Sequence, residues 1–115
     1  MCIRDSHQDR LDAITRIGRA MADPTRCRIL LALLDAPHYP AVLADELGLT
    51  RANVSNHLAC LRDCGLVTST AEGRQVRYEL AHPALAHALA DLLGVVLAAE
   101  RSVDAARADS VAVPA

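Results

Sequence analysis

Between Leu47 and Val67 the chain ends one helix, turns within three residues and starts another. Gly48 is the residue type that closes a helix with a left-handed backbone. Thr50 carries the side-chain oxygen that caps the orphan N–H groups of the helix after it. Gly65 stops that second helix, which therefore runs from Arg51 to about Asp63. Two helices joined this tightly must cross rather than continue one another, and a crossing pair with so short a link is a helix-turn-helix.

Projected at about 100° per residue, the Arg51–Cys64 helix has three sectors. Val54, Leu58 and Leu61 form an apolar stripe that faces a core. Arg51, Ser55 and Asn56 lie near the helix start on another side, where a helix in the major groove presents side chains to base edges. Ala52 and Ala59 share that side and are small enough for close approach. Asn53, His57, Cys60 and Cys64 occupy the third sector. Cys60 and Cys64 are one turn apart, and i,i+4 Cβ atoms sit roughly 5–6 Å apart, too far for a disulfide, which needs about 4 Å. Two thiolates at that spacing can grip one ion. Soft sulfur ligands select zinc, cuprous copper or larger soft ions over magnesium or calcium.

The remaining chain supplies the frame. Residues 1–7 have no periodicity and are expected to be an N-terminal arm. A first helix is expected from about Gln8 to Ala22, with Leu11, Ile14, Ile17 and Met21 on one face. Asp23 and Pro24 restart the chain as N-cap and first helical residue. The second helix carries Cys27, Ile29, Leu30, Leu33 and Leu34 and stops before Pro37, and a short third runs from Ala41 to Leu47. After Gly65, strands are expected at Leu66–Thr70 and Gln75–Leu80, joined by Ala71 to Arg74. In the second strand Val76, Tyr78 and Leu80 alternate with Arg77 and Glu79. Pro83 opens a last helix with Leu85, Leu89, Leu92, Leu93, Val96 and Leu97 in a broad apolar stripe. From about Arg101 to residue 115 a flexible tail is expected. The domain proper is then 8–100, mainly α with a β-hairpin wing, in the order α-α-α-α-β-β-α of a winged helix-turn-helix.

Composition narrows the function classes. At 115 residues the chain fits one domain, and its 52% hydrophobic content exceeds what so small a core can cover, which points to a partner surface. No uninterrupted apolar run reaches bilayer length and no secretory pattern is seen, so a cytoplasmic protein with no membrane partner is expected. Net charge is −2, but from Arg51 to Arg77 four arginines oppose two carboxylates, leaving that segment at +2. Arg74 and Arg77 thereby join Thr50, Arg51, Ser55 and Asn56 as the candidate contacts to double-stranded DNA, the two wing residues to phosphate or a minor groove. With only two aromatic residues, Tyr39 and Tyr78, the chain has no stacking platform for single strands. No nucleophile–base constellation or phosphate loop is present, so an enzyme is not expected.

The segments Ala22–Leu30, Thr50–Leu58 and Glu72–Tyr78 resemble the ArsR/SmtB winged-helix metal-sensing repressors, over about Asp12 to Val96. The spacing of Cys60 and Cys64 is similar to that of the recognition-helix pair in the cadmium/lead-sensing branch of that family. The resemblance implies a homodimer joined through first and last helices. It also implies a repressor that holds operator DNA without metal and releases it when a soft divalent ion (cadmium, lead or zinc) binds, with no organic cofactor.

In that branch a C-terminal tail supplies a third thiolate, whereas no cysteine follows Cys64 here. The candidate substitutes are Cys2, on the N-terminal arm, and Cys27, His7, His38, His57, Glu100 or Asp104. Of these Cys2 could cross to the partner helix, while Cys27 is placed to pack beside Ile29 and Leu30. The family's paired-cysteine motif on the third helix is missing, and His82, His87 and Asp91 do not reproduce its last-helix zinc pattern. The alternatives are a thiol-redox-responsive or metal-independent winged-helix regulator.

Overall fold

The computed structural model describes the backbone of residues 5–112 and the side chains of residues 7–106. Its elements are α1 (Asp5–Ala20), α2 (Pro24–Asp35), α3 (Pro40–Leu47), α4 (Arg51–Asp63), β1 (Val67–Glu72), β2 (Gln75–Leu80) and α5 (Pro83–Ala112). A first compact unit extends to Pro83, and α5 from Ala84 onward forms a second. The expected order of elements is present. Two boundaries differ at the ends: α1 already begins at Asp5, and α5 continues to Ala112 where a frayed tail from Arg101 was expected. The alanine-rich stretch after Glu100 has high intrinsic helix propensity and no Gly or Pro before Pro114 to stop it.

The core of the first unit is built from Ile29, Leu30 and Leu33 of α2, Leu43 and Ala44 of α3, Val54, Leu58 and Leu61 of α4, and Leu66 and Val67 at the entry to the wing. The apolar stripe read for α4 is therefore its buried face. Each such fully buried aliphatic side chain contributes about 1.5–3 kcal/mol of transfer free energy. No polar or charged residue is buried among the described residues.

Helix α2 is the hub because its two arginines reach back to the open ends of its neighbours. Arg28 Nη2 donates to the Leu47 carbonyl at the end of α3 (2.7 Å). Arg26 Nε donates to the Ala20 carbonyl (2.7 Å) and Nη2 to the Arg19 carbonyl (2.9 Å) at the end of α1. At helix ends carbonyls lack the usual i+4 partner, and the guanidiniums supply donors there; the Arg19 carbonyl also accepts from the Ala22 N–H (3.3 Å). The start of α2 is capped by Asp23, whose Oδ2 accepts from the Arg26 N–H (3.0 Å).

Gly48 adopts φ 68° and its N–H bonds back to Ala44 and Asp45, ending α3. Thr50 Oγ1 accepts from the Asn53 N–H (3.1 Å) and starts α4. These two residues set the angle at which α4 crosses α3.

The wing is an antiparallel pair with Val67 opposite Leu80 and Glu72 opposite Gln75. Only Gly73 and Arg74 lie in the turn, so β1 runs two residues further than expected. Gly73 supplies the positive φ (62°) wanted at the first central position of a tight hairpin turn. At its base the wing is joined to the body: His38 and Tyr78 exchange backbone hydrogen bonds of 2.9 and 2.8 Å.

Helix α5 is exposed along most of its length, with Val95 68% accessible and Leu92, Val96 and Leu97 about half so. From Pro83 to Ala106 it is long and apolar enough, by length and composition, to cross a membrane, with a mean hydropathy of 1.4 over its most apolar window. The expectation that no uninterrupted apolar run reaches bilayer length still stands. That expectation counted uninterrupted runs, whereas charges such as Asp91 are diluted when the whole helix is averaged.

Candidate nucleic-acid interface and thiol cavity

Helix α4 carries both candidate sites on different faces. Arg51, Ala52, Ser55 and Asn56 are exposed, as is Thr50 at the cap. With Val54, Leu58 and Leu61 fully buried on the other side, the first two turns of α4 offer an arginine, a hydroxyl and an amide to an approaching duplex, with no bulky side chain between them. Arg74 is exposed in the wing turn. Arg77 is placed differently. Its Nε lies 3.2 Å from Glu72 Oε2 and its Nη2 3.9 Å from Glu79 Oε1, and Glu72 is itself fixed by the Tyr39 hydroxyl, which donates to Oε1 (2.6 Å). The wing thus offers one unengaged cation, Arg74, and one that its own carboxylates already hold.

On the other face, Cys60 and Cys64 are half-buried, free thiols. They lie one turn apart on α4 and line the same cavity. They line a cavity of about 480 Å³ with Asp12, Arg16 and Arg19 of α1 and Arg26 of α2. Burial pushes the Cys64 thiol above its ordinary pKa, and the neighbouring Cys60 adds to the shift. The guanidiniums of Arg16 and Arg26 oppose it.

The other residues considered as ligands have other placements. Cys27 donates its thiol to the Met21 carbonyl (2.9 Å) and is half-buried, as its packing role predicts. His57 Nδ1 faces Asp23 Oδ2 at 3.9 Å. His38 Nδ1 lies 2.7 Å from the Ala36 carbonyl and its Nε2 3.5 Å from Glu46. His7 lines a separate groove on α1 with Leu11 and Ile14. Glu100 and Asp104 lie on α5 beside Val96 and Val103. Cys2 falls outside the described residues. Among the described residues no three His, Cys, Asp or Glu side chains converge into a set able to hold a metal. The cavity fits half of a soft-metal site: two adjacent sulfurs with room beside them. Asp12, Arg16 and Arg26 were not singled out from the sequence, because their convergence depends on how the end of α1 meets α2 and α4.

Residues 23–69, from the cap of α2 to the first residues of the wing, match the model of the bacterial regulatory protein arsR family. The transcriptional regulator CmtR of Mycobacterium tuberculosis is 66% identical over 91 residues, which is 79% of this chain and 77% of that one. The chain belongs to the ArsR family. It is a DNA-binding transcriptional regulator and not an enzyme.

Solved structures agree with the architecture of this ArsR-family chain. The solution structure of the cadmium metal-sensor CMTR from Mycobacterium tuberculosis superposes with a TM-score of 0.61 at 68% identity, over 71% of this chain and 85% of that one. A homodimeric winged helix-turn-helix DNA-binding domain from Mycobacterium bovis superposes with a TM-score of 0.73 at 29% identity, over 88% and 90% of the two chains.

Proposed function

We propose that this ArsR-family regulator is a cytoplasmic, homodimeric repressor that holds operator DNA in its metal-free form and lets go when a soft divalent ion binds Cys60 and Cys64. The observation that carries this reading is that those two thiols share one cavity on the helix that bears Arg51, Ser55 and Asn56. The 66% identity to CmtR and the cadmium-sensor description of its solved structure favour cadmium. Lead and zinc are the further ions that thiolates of this kind accept.

In the DNA-bound form Thr50, Arg51, Ser55 and Asn56 enter the major groove and Arg74 reaches the flanking backbone or minor groove. The exposed faces of α1 and α5 supply the dimer contact that sets two α4 helices roughly 34 Å apart, the spacing of successive major grooves. This use of the apolar α5 stripe, rather than a bilayer, fits a regulator whose relatives act on transcription. When Cys60 and Cys64 give up their protons to hold the ion, a third ligand from outside their helix ties α4 to another segment. Cys2, alone among the cysteines in preceding α1, is the candidate for that role. The tie fixes α4 in a poor docking geometry.

The test is operator binding followed by fluorescence anisotropy, with and without cadmium. Wild type is expected to lose affinity by roughly five- to 150-fold on saturation. A Cys60→Ser/Cys64→Ser variant should bind operator normally and ignore the ion. Full cadmium-triggered release by that double variant would overturn the reading.

A further inference from the structure

Tyr39 stands just before α3, yet its side chain is committed to the far end of the wing. Its hydroxyl donates to Glu72 Oε1 (2.6 Å), and the other carboxylate oxygen, Oε2, lies 3.2 Å from Arg77 Nε. That Nε atom is shielded from water and makes no hydrogen bond, so its attachment to Glu72 depends on charge and on where the carboxylate is held. The backbone of Tyr39 is fixed from both sides. Its carbonyl accepts from the Leu43 N–H (3.0 Å), and its neighbour His38 exchanges backbone bonds with Tyr78 (2.9 and 2.8 Å). The link between α2 and α3 therefore grips β2 by its backbone and β1 by a side chain.

We infer that Tyr39 is a positioning residue for DNA binding: by holding Glu72 on Arg77 it sets how many phosphates the wing neutralises. The inference rests on the reading above in which the wing faces the duplex. An exposed ion pair is weak in part because two long side chains must be ordered to form it. Here one of the two is already ordered, since a hydroxyl bonded to a carboxylate is among the stronger hydrogen bonds. A DNA phosphate must then compete for Arg77 with a carboxylate that is held in place. Without the hydroxyl, Glu72 regains its rotamers, and Glu79 reaches only Nη2, at 3.9 Å. Arg77 can then turn to a phosphate and release one more counterion. Such a contact carries no sequence information, so operator and unrelated duplex gain alike.

The experiment measures metal-free affinity for operator and for an unrelated duplex of equal length, between about 50 and 200 mM salt. It compares wild type, Tyr39→Phe, Arg77→Ala and the Tyr39→Phe/Arg77→Ala double variant, with Arg74→Ala as the control for wing contact. Tyr39→Phe is expected to steepen the log–log salt slope by about 0.9 on both duplexes, an extra loss of about 3.5-fold across that range. In the Arg77→Ala background the same substitution should change nothing, because the cation it acts on is gone. A merely structural role would persist there. A wild-type slope in Tyr39→Phe, with Arg74→Ala still lowering it, overturns the inference. So does a change that survives in the Arg77→Ala background or is confined to operator. If Tyr39→Phe does not fold, Glu72→Asp decides: it keeps the charge but draws it back from the hydroxyl, and a wild-type slope there rejects the role of the hold. An Arg74→Ala slope equal to wild type rejects the wing reading instead.

Discussion

Asp23 Oδ2 lies 3.9 Å from Nδ1 of His57 while it accepts the N–H that starts α2. A single carboxylate thus caps one helix and faces the thiol-bearing side of α4. The bond from the Arg26 backbone N–H, ahead of the charges of His57 and Arg26, holds its pKa below the ordinary 3.8.

A group whose pKa is lowered on folding stabilises the native state fully above its unfolded value, and that contribution disappears as pH falls through the folded value. Thermal unfolding from pH 6 down to pH 3 should show wild type losing ground on Asp23→Asn, which still caps but does not titrate. Parallel curves for the two proteins would mean that the carboxylate charge plays no part.

The wing arginines should separate. Arg74→Ala is expected to weaken operator binding uniformly across sequences and to reduce the salt slope by about 1. Arg77→Ala should change the slope little, since Glu72 and Glu79 already occupy its guanidinium. Glu72→Gln frees Arg77 and should steepen the slope. Affinity measured between low and moderate salt distinguishes the three variants, and equal slope losses for both arginines would contradict the assignment.

Exposed apolar side chains on α5 should be the adhesive of the dimer. Leu92→Glu and Val96→Glu together are expected to convert a dimer to monomer in sedimentation velocity and to reduce operator affinity in step, because half-site recognition needs two linked helices. A double variant that sediments as wild type would move the interface elsewhere.

Cadmium uptake should depend on pH. Burial and the neighbouring Cys60 raise the Cys64 pKa above 9.0, so near neutrality the ion must displace a proton. Apparent affinity is then expected to rise by at least about tenfold per pH unit. Competition against a chelator of known affinity between pH 6 and pH 8 reads this directly, and a flat profile would show that the thiol is already ionised.

Local chemistry made much of this legible beforehand. Thr50 and Gly65 bound α4 at its observed ends, and its apolar stripe is the buried one, because caps and helical periodicity act over a few residues. The hairpin was misplaced by two residues at β1, since Gly73 tightens the turn more than a four-residue link suggests. The ion pairs of Arg77 with Glu72 and Glu79 were not legible beforehand, because they depend on the side-chain arrangement of the folded hairpin. The thiol cavity was half-visible. Cys60 and Cys64 share one helix and betray themselves by spacing, whereas Asp12, Arg16 and Arg26 meet them only through the packing of three helices.

The bridge between His38 and Tyr78 makes the root of the wing part of the body, and Tyr39 pins Glu72 near its far end. A hairpin held at both places is less free to swing toward its target. The span from the α4 surface to Arg74 then behaves as a caliper of fixed opening. Duplexes whose groove width and local bend match that opening keep both touches, and others forfeit one. Some selectivity among operators would thereby be spelled in the stiffness of a hairpin rather than in any base it reads.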